Sequence, residues 1–281
     1  MNSIDISQNN GSQIDRYEST PSGISIGFHG INLVPPSEGG QKNQFKVSNL
    51  SFSYKQPLFS NLNLEIPFDE ITVLTGENGS GKTTFCRILS GLIKDYEGTI
   101  EIRRSEINEK PLCPENPDIS PSQGKKLDLK KLSIQKISDF MIYHKQEPQG
   151  NIVAATPDED LSIWQSKFTR RLTDEDQKKR KKVLAELDIS ELLETPFWEQ
   201  SSGQIKRSGL AALLLNKEKF WILDEPFSGL HQQIVDKMIQ ILIERKKSGF
   251  GALIISHKTD QLNDFADHIL KIEDEFIKEI K

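Results

Sequence analysis

The stretch TVLTGENGSGKTT, residues 72–84, constrains this chain more than any other. It satisfies G-x-x-x-x-G-K-[ST] through Gly76, Gly81, Lys82 and Thr83, with Glu77, Asn78, Gly79 and Ser80 between them and Thr84 following. The apolar run ITVL precedes it and the helix-like TTFCRILSG follows, the strand–loop–helix context the pattern requires. Glycines let successive backbone N–H groups turn inward around phosphate oxygens, and the helix N-terminus adds its positive end. In such a loop Lys82 reaches the β- and γ-phosphates and Thr83 offers a hydroxyl to Mg²⁺. A glycine turn without a ligand would need neither the lysine nor the hydroxyl.

A phosphate loop of this kind needs a second acid for the metal ion, at the end of a neighbouring parallel strand. Residues 221–233, WILDEPFSGLHQQ, offer one: Asp224 ends an apolar run, and Glu225 adjoins it in position to accept a proton from a water attacking the γ-phosphate. From GQIKRSGLAALLLN through FWILD, QQIVDKMIQILIERKK, GALIIS, DQLNDFA and HILKI, amphipathic helices alternate with apolar strands. That alternation predicts a parallel sheet covered on both faces. FKVSNLSFSY and LNLEI predict a strand-rich start, and TDEDQKKRKKVLAELDISELL predicts a helix opened by a capping pair, Thr173 and Asp176.

Three segments stand apart. Residues 1–43 are rich in Ser, Asn, Gln, Gly and Pro and read as a flexible extension. Residues 104–136 carry four prolines and much charge and read as a surface insertion. The KKRKK run at 178–182 reads as a solvated helix face balanced by TDED, and a net charge of -5 leaves no overall basic face, so no nucleic-acid partner is expected. Two cysteines without metal-ligand spacing, no leader-like start and no run of about 18 apolar residues predict a reduced, cytoplasmic chain. Any membrane role then falls to other subunits.

Taken in order, the motifs resemble those of the ATP-binding subunits of ABC transporters over about residues 45–275. NLSFSY is similar to the start of that domain, where Tyr54 would stack on adenine, and SGLIKDYEGTIEI matches the segment after the P-loop. Gln146 in YHKQEP resembles the Q-loop glutamine, which touches Mg²⁺ and the attacking water and relays contact with the membrane subunit. EQSSGQIKRSGLAALLL resembles the signature LSGGQ, with Gln200 in place of Leu and Ser202 in place of the first Gly. The resemblance implies that Ser201, Gly203 and Gln204 hold nucleotide bound by a partner. His257 in LIISHKTD fits the switch histidine, and Ser228, Gly229, Leu230 and His231 occupy the D-loop, with His231 where the family has an acid.

Residues 146–164, QEPQGNIVAATPDEDLSIW, are similar to the corresponding region of energy-coupling-factor ATPases at Gln146, Pro148, Ile152, Val153, Ala154, Thr156, Glu159 and Asp160, departing at Asn151 and Pro157. The resemblance implies an α/β fold: a P-loop NTPase core with a parallel sheet, an antiparallel β subdomain and a helical subdomain at about 146–205, within an ABC nucleotide-binding domain spanning 44–281. It implies ATP and Mg²⁺ as ligands, the ion at Thr83, Gln146 and Asp224, and Glu225, His257 and Gln146 in hydrolysis. The partners would be a second ABC ATPase subunit, identical or not, and a transmembrane coupling subunit. The chain would then sit peripherally on the cytoplasmic face of the membrane and drive uptake of a vitamin or of cobalt or nickel ions. The alternative is a soluble ABC ATPase that powers assembly, such as that of iron–sulfur clusters.

Overall fold

The computed structural model describes residues 43–103, 126–166, 172–216, 219–257 and 262–281. In chain order the strands are β1 (Gln44–Ser53), β2 (Pro57–Pro67), β3 (Ile71–Gly76), β4 (Glu97–Arg103), β5 (Lys126–Asp128), β6 (Met141–His144), β7 (Phe220–Asp224), β8 (Ala252–Ile255), β9 (His268–Glu273) and β10 (Phe276–Glu279). The α-helices are α1 (Lys82–Leu89), α2 (Ile134–Phe140), α3 (Pro157–Ser166), α4 (Asp174–Glu186), α5 (Ser202–Leu215) and α6 (Gln232–Lys247). The α/β class and the P-loop NTPase core expected from the motifs are both present.

The larger sheet runs β10-β9-β3-β8-β7-β6, parallel from β9 to β6, with β10 folding back antiparallel onto β9. Its central strands β7 and β8 are buried along their whole length, which is why FWILD and ALII are continuous apolar runs rather than alternating ones. The two faces of β7 feed different cores. Phe220 and Ile222 pack with Phe85, Ile88 and Leu89 of α1, while Trp221 and Leu223 pack with Leu210 and Leu214 of α5 and Met238 of α6.

The smaller sheet, β2-β1-β4-β5, is antiparallel throughout, with Val47 facing Leu64 on one side and Ile100 on the other. Phe45, Val47 and Ile100 point inward and join the α1 side of the core, so α1 is buried between the two sheets. Of the proposed insertion, residues 126–136 supply β5 and the first residues of α2, with Leu129 and Leu132 buried. Residues 104–125 lie outside the described residues, as do residues 1–42 of the N-terminal extension.

Within 146–205, α3 and α4 pack against α5 through Leu161, Val183, Leu184 and Leu187, and α5 continues to Leu215. The capping pair of α4 closes in both directions: Asp176 N donates to Thr173 Oγ1 at 3.2 Å, and Thr173 N donates to Asp176 Oδ2 at 2.8 Å. The KKRKK run is not one uniform solvated face. Arg180 turns inward and donates to Asp158 Oδ1 at 2.6 Å and to the Asp158 carbonyl at 2.9 Å.

Toward the β10 edge of the large sheet, His268, the first residue of β9, bridges Glu279 of β10 and Glu70 just before β3. Its Nδ1 lies 2.5 Å from Glu279 Oε1 and its Nε2 lies 2.5 Å from Glu70 Oε2. Burial disfavours the charged ring, but the two carboxylates outweigh it, and the His268 pKa is raised above 6.5. A raised folded pKa means that the added stability is fully present below the unfolded value near 6.5 and is lost as pH climbs through the folded one. The thermal midpoint of the wild-type chain should therefore exceed that of His268→Ala most at about pH 6 and by least at about pH 9. A gap that widens with rising pH, followed by thermal unfolding across that range, would contradict this linkage.

Candidate nucleotide site

The carboxyl ends of β3, β7, β8 and β6 converge, the place where open parallel sheets bind ligands. β3 runs directly into the loop at Gly76, and α1 begins at Lys82. Two glycines are held there by close approach. A Cβ on Gly76 would lie 2.7 Å from the Ile272 carbonyl oxygen, and one on Gly81, at φ 101°, would lie 2.8 Å from Phe59 Cζ. Glu77, Asn78 and Gly79 form the exposed crest, while Lys82 and Thr84 are buried. The Ser80 hydroxyl is buried inside the loop with no hydrogen-bond partner among the described residues.

Lys82 Nζ donates to the carbonyls of Gly76 at 2.8 Å and Glu77 at 2.7 Å, which ties the two ends of the loop together. Burial pulls its pKa below the usual lysine value, against the attraction of Glu225 and Asp224. A partly desolvated ammonium inside a ring of backbone groups suits an incoming polyphosphate, which can replace the two carbonyls with charged acceptors.

Asp224 is the last residue of β7 and is almost fully buried. Its Oδ2 accepts from Thr83 Oγ1 at 2.8 Å and from Tyr143 Oη at 3.2 Å. Tyr143 has no local signature. It reaches Asp224 because β6 pairs with β7 and sets Tyr143 beside Ile222, a relation that no spacing in the sequence encodes. Burial, with the nearby Asp224 among the lesser causes, raises the Tyr143 pKa and keeps the phenol a donor.

Glu225 adopts φ 48°, a left-handed conformation in a non-glycine residue. Its amide donates to the Ile255 carbonyl at 3.1 Å, and its Oε1 accepts from His257 N at 3.1 Å, with His257 Nε2 at 3.3 Å. Burial raises the Glu225 pKa, and the adjacent Asp224 adds to this, while His257 and Lys82 oppose it. A carboxylate of raised pKa, held in place by two groups, is suited to accept a proton near neutral pH.

The other expected residues occupy separate places. Gln146 is exposed two residues past His144, and His144 pairs with Leu223, so Gln146 leaves the sheet at the same end as Asp224. Tyr54 is 62% exposed at the end of the β1–β2 ribbon, edge-on to Phe52 at 4.8 Å. Ser201 caps α5: its Oγ accepts from Gln204 N at 3.3 Å, and Gln204 Oε1 accepts from Ser201 N at 2.8 Å. Ser202 is the first residue of α5, where helical φ/ψ asks for no glycine, and Gln200 is buried with Nε2 donating to the Thr195 carbonyl at 2.7 Å. Among the described residues, no hydrogen bond joins this capped helix start to the P-loop. His231 precedes α6 as its N-cap without a side-chain capping bond.

Comparison with known proteins agrees with this geometry. A match to the ABC transporter family covers residues 59–228. The chain is 30% identical over 228 residues to the energy-coupling factor transporter ATP-binding protein EcfA1 of Thermotoga maritima, across 80% of this chain and 77% of the relative. It is 28% identical over 233 residues to EcfA2 of Leuconostoc mesenteroides, across 80% of this chain and 75% of the relative. Its fold matches that of cbiO1 from Clostridium perfringens, part of the ABC transporter complex cbiONQ, with a TM-score of 0.61 and 24% identity over 85% of this chain and 88% of that one. A P-loop closed by Lys82, an acidic pair ending β7 and a family match spanning both support one conclusion: the chain belongs to the ABC transporter family, as an ATP-binding subunit that hydrolyses ATP.

Proposed function

We propose that this chain is an energy-coupling-factor type ATPase that works at the cytoplasmic face of a membrane and drives uptake of a vitamin or of cobalt or nickel ions through separate membrane subunits. In this reading residues 44–281 form one ABC ATPase domain. Lys82 and the loop amides hold the β- and γ-phosphates, Tyr54 stacks on adenine, and Glu225 takes the proton of the attacking water while His257 steadies its carboxylate. Thr83 and Asp224 present a hydroxyl and a carboxylate 2.8 Å apart, hard oxygen donors that fit Mg²⁺, with Gln146 completing the set. Bound there, the ion would neutralise charge on the β- and γ-oxygens.

The start of α5, with Ser201, Gly203 and Gln204, would serve ATP held by a second ATPase subunit. ATP then clamps the pair, hydrolysis releases it, and the difference in ATP affinity between open and closed pairs supplies the work. The altered signature at Gln200 and Ser202 and the altered D-loop at His231 suit a pair of non-identical subunits.

The observation that carries the transport reading is an apolar cleft of about 290 Å³ bounded by α2, β6, α5 and the segment after Gln146. Leu92, Ile134 and Val153 line it, and these large apolar side chains are 52%, 44% and 59% exposed. Such a rim marks a partner site, and a helix of the membrane coupling subunit laying its apolar face into the cleft fits it. Among the described residues no helix is long and apolar enough to cross a membrane, so the spanning would fall to that partner. The test is co-purification of the full chain from solubilised membranes. An integral membrane protein should be recovered with the wild-type chain and lost with Val153→Asp. Recovery of soluble scaffold proteins alone would instead support the assembly alternative, such as iron–sulfur cluster assembly.

A further inference from the structure

Helix α5 carries one lysine on a buried face. Lys206 stands between Ile205 and the buried run from Ser208 to Leu215 and is 5% exposed. A buried ammonium is unfavourable unless acceptors meet its N–H groups. Lys206 Nζ donates to the carbonyl oxygens of Glu225 at 3.1 Å and Ser228 at 2.5 Å. Both acceptors are backbone carbonyls, so the side chain fixes two peptide planes rather than neutralising a partner.

Those planes bracket one turn. Ser228 N donates to the Glu225 carbonyl at 3.3 Å, so that oxygen accepts from both the turn and the lysine. Glu225 is also the residue at φ 48°, a conformation that persists only when its surroundings hold it. Its amide is fixed by the Ile255 carbonyl and its carboxylate by His257 N, and Lys206 adds a second donor, beside Ser228 N, at the carbonyl. Burial pulls the Lys206 pKa below the usual lysine value, the Glu225 carboxylate opposes this, and burial keeps the facing ring of His144 of β6 neutral with a pKa of about 3.

We infer that Lys206 is a positioning residue that clamps the Glu225–Ser228 turn, orienting the Glu225 carboxylate and the D-loop that follows. The inference rests on the proposed role of Glu225 as proton acceptor. Its consequence is that one helix serves two sites: the first turn of α5 offers Ser201 and Gly203 to the partner's ATP, and its second turn holds this chain's own acid. A shift of α5 as it meets the partner's nucleotide would then reach Glu225 directly through Lys206.

The test uses the full chain with Lys206→Met, which keeps the stem length and removes the donors, and Lys206→Gln as a second, less disruptive variant. Amide hydrogen exchange over residues 225–231 should speed up by about tenfold or more while β7 and β8 keep their protection. MgATP turnover should fall by about 10- to 100-fold with the KM for ATP within about twofold, because a misplaced acid slows chemistry without weakening phosphate binding. In a Glu225→Gln background, adding Lys206→Met should lower single-turnover hydrolysis no further, the non-additivity expected of residues acting as a unit. Wild-type exchange in the 225–231 segment, or an undiminished additional loss in the Glu225→Gln background, overturns the inference. If Glu225→Gln alone leaves turnover unchanged, the proposed role of Glu225 fails, and the exchange measurement still decides the clamp.

Discussion

Replacing Glu225 with Gln should lower single-turnover ATP hydrolysis by about 10²- to 10⁴-fold, or roughly 3 to 5 kcal/mol of barrier, while leaving ATP affinity intact. The amide keeps the shape of the side chain and still meets His257 N through its oxygen, but it cannot accept a proton from water. Because burial raises the pKa of Glu225 above 4.5, the acid limb of the wild-type rate profile should lie above that value, and the variant should lack it. The same shift carries a stability consequence of opposite sign. An acid whose folded pKa is raised disfavours the folded state once ionised, and that penalty is relieved as pH falls through the folded value. Glu225→Gln should thus melt at or slightly above the wild-type temperature near pH 7. Unchanged turnover in rapid-quench measurements would remove Glu225 from the chemistry.

Removing the ammonium of Lys82 should do the reverse and strike binding. Lys82→Met forfeits charge-assisted hydrogen bonds to phosphate, each worth about 1.5–3 kcal/mol, so the Kd for ATP measured by calorimetry should rise at least 10- to 150-fold. Fold stability should change little. The two bonds that Lys82 makes to Gly76 and Glu77 are lost, but so is the unfavourable burial of a cation. An ATP affinity within about threefold of wild type would mean that the loop does not use this lysine for phosphate. Together the two substitutions separate holding the nucleotide from cleaving it.

Legibility in the sequence followed chain distance. The loop from Gly76 to Thr84 and the pair Asp224–Glu225 were readable because their chemistry depends on neighbours along the chain: glycines beside a lysine, an acid at the end of an apolar strand. The capping pair Thr173 and Asp176 was readable for the same reason, and both of its bonds are present. Tyr143 and Lys206 were not readable. Tyr143 meets Asp224 across 81 positions and Lys206 meets Glu225 across 19, and neither is one of the residues that define the motif beside it. Arg180 shows the opposite failure: inside a run of like charges it looked solvated, yet it is the member whose place on α4 faces Asp158 of α3.

By itself, then, the sequence determined the α/β class and pointed to the phosphate loop and to the acids proposed to serve it, since strand and helix periods and the P-loop pattern are written in residues close together. Only the tertiary structure decided that Thr83 and Asp224, 141 positions apart, share a hydrogen bond, that Glu225 is bent into a left-handed turn under a lysine of α5, and that Leu92, Ile134 and Val153 surround one cleft. The physical reason is that sheet order and helix packing choose which distant segments become neighbours, and burial then sets how strongly their charges and hydrogen bonds act on one another.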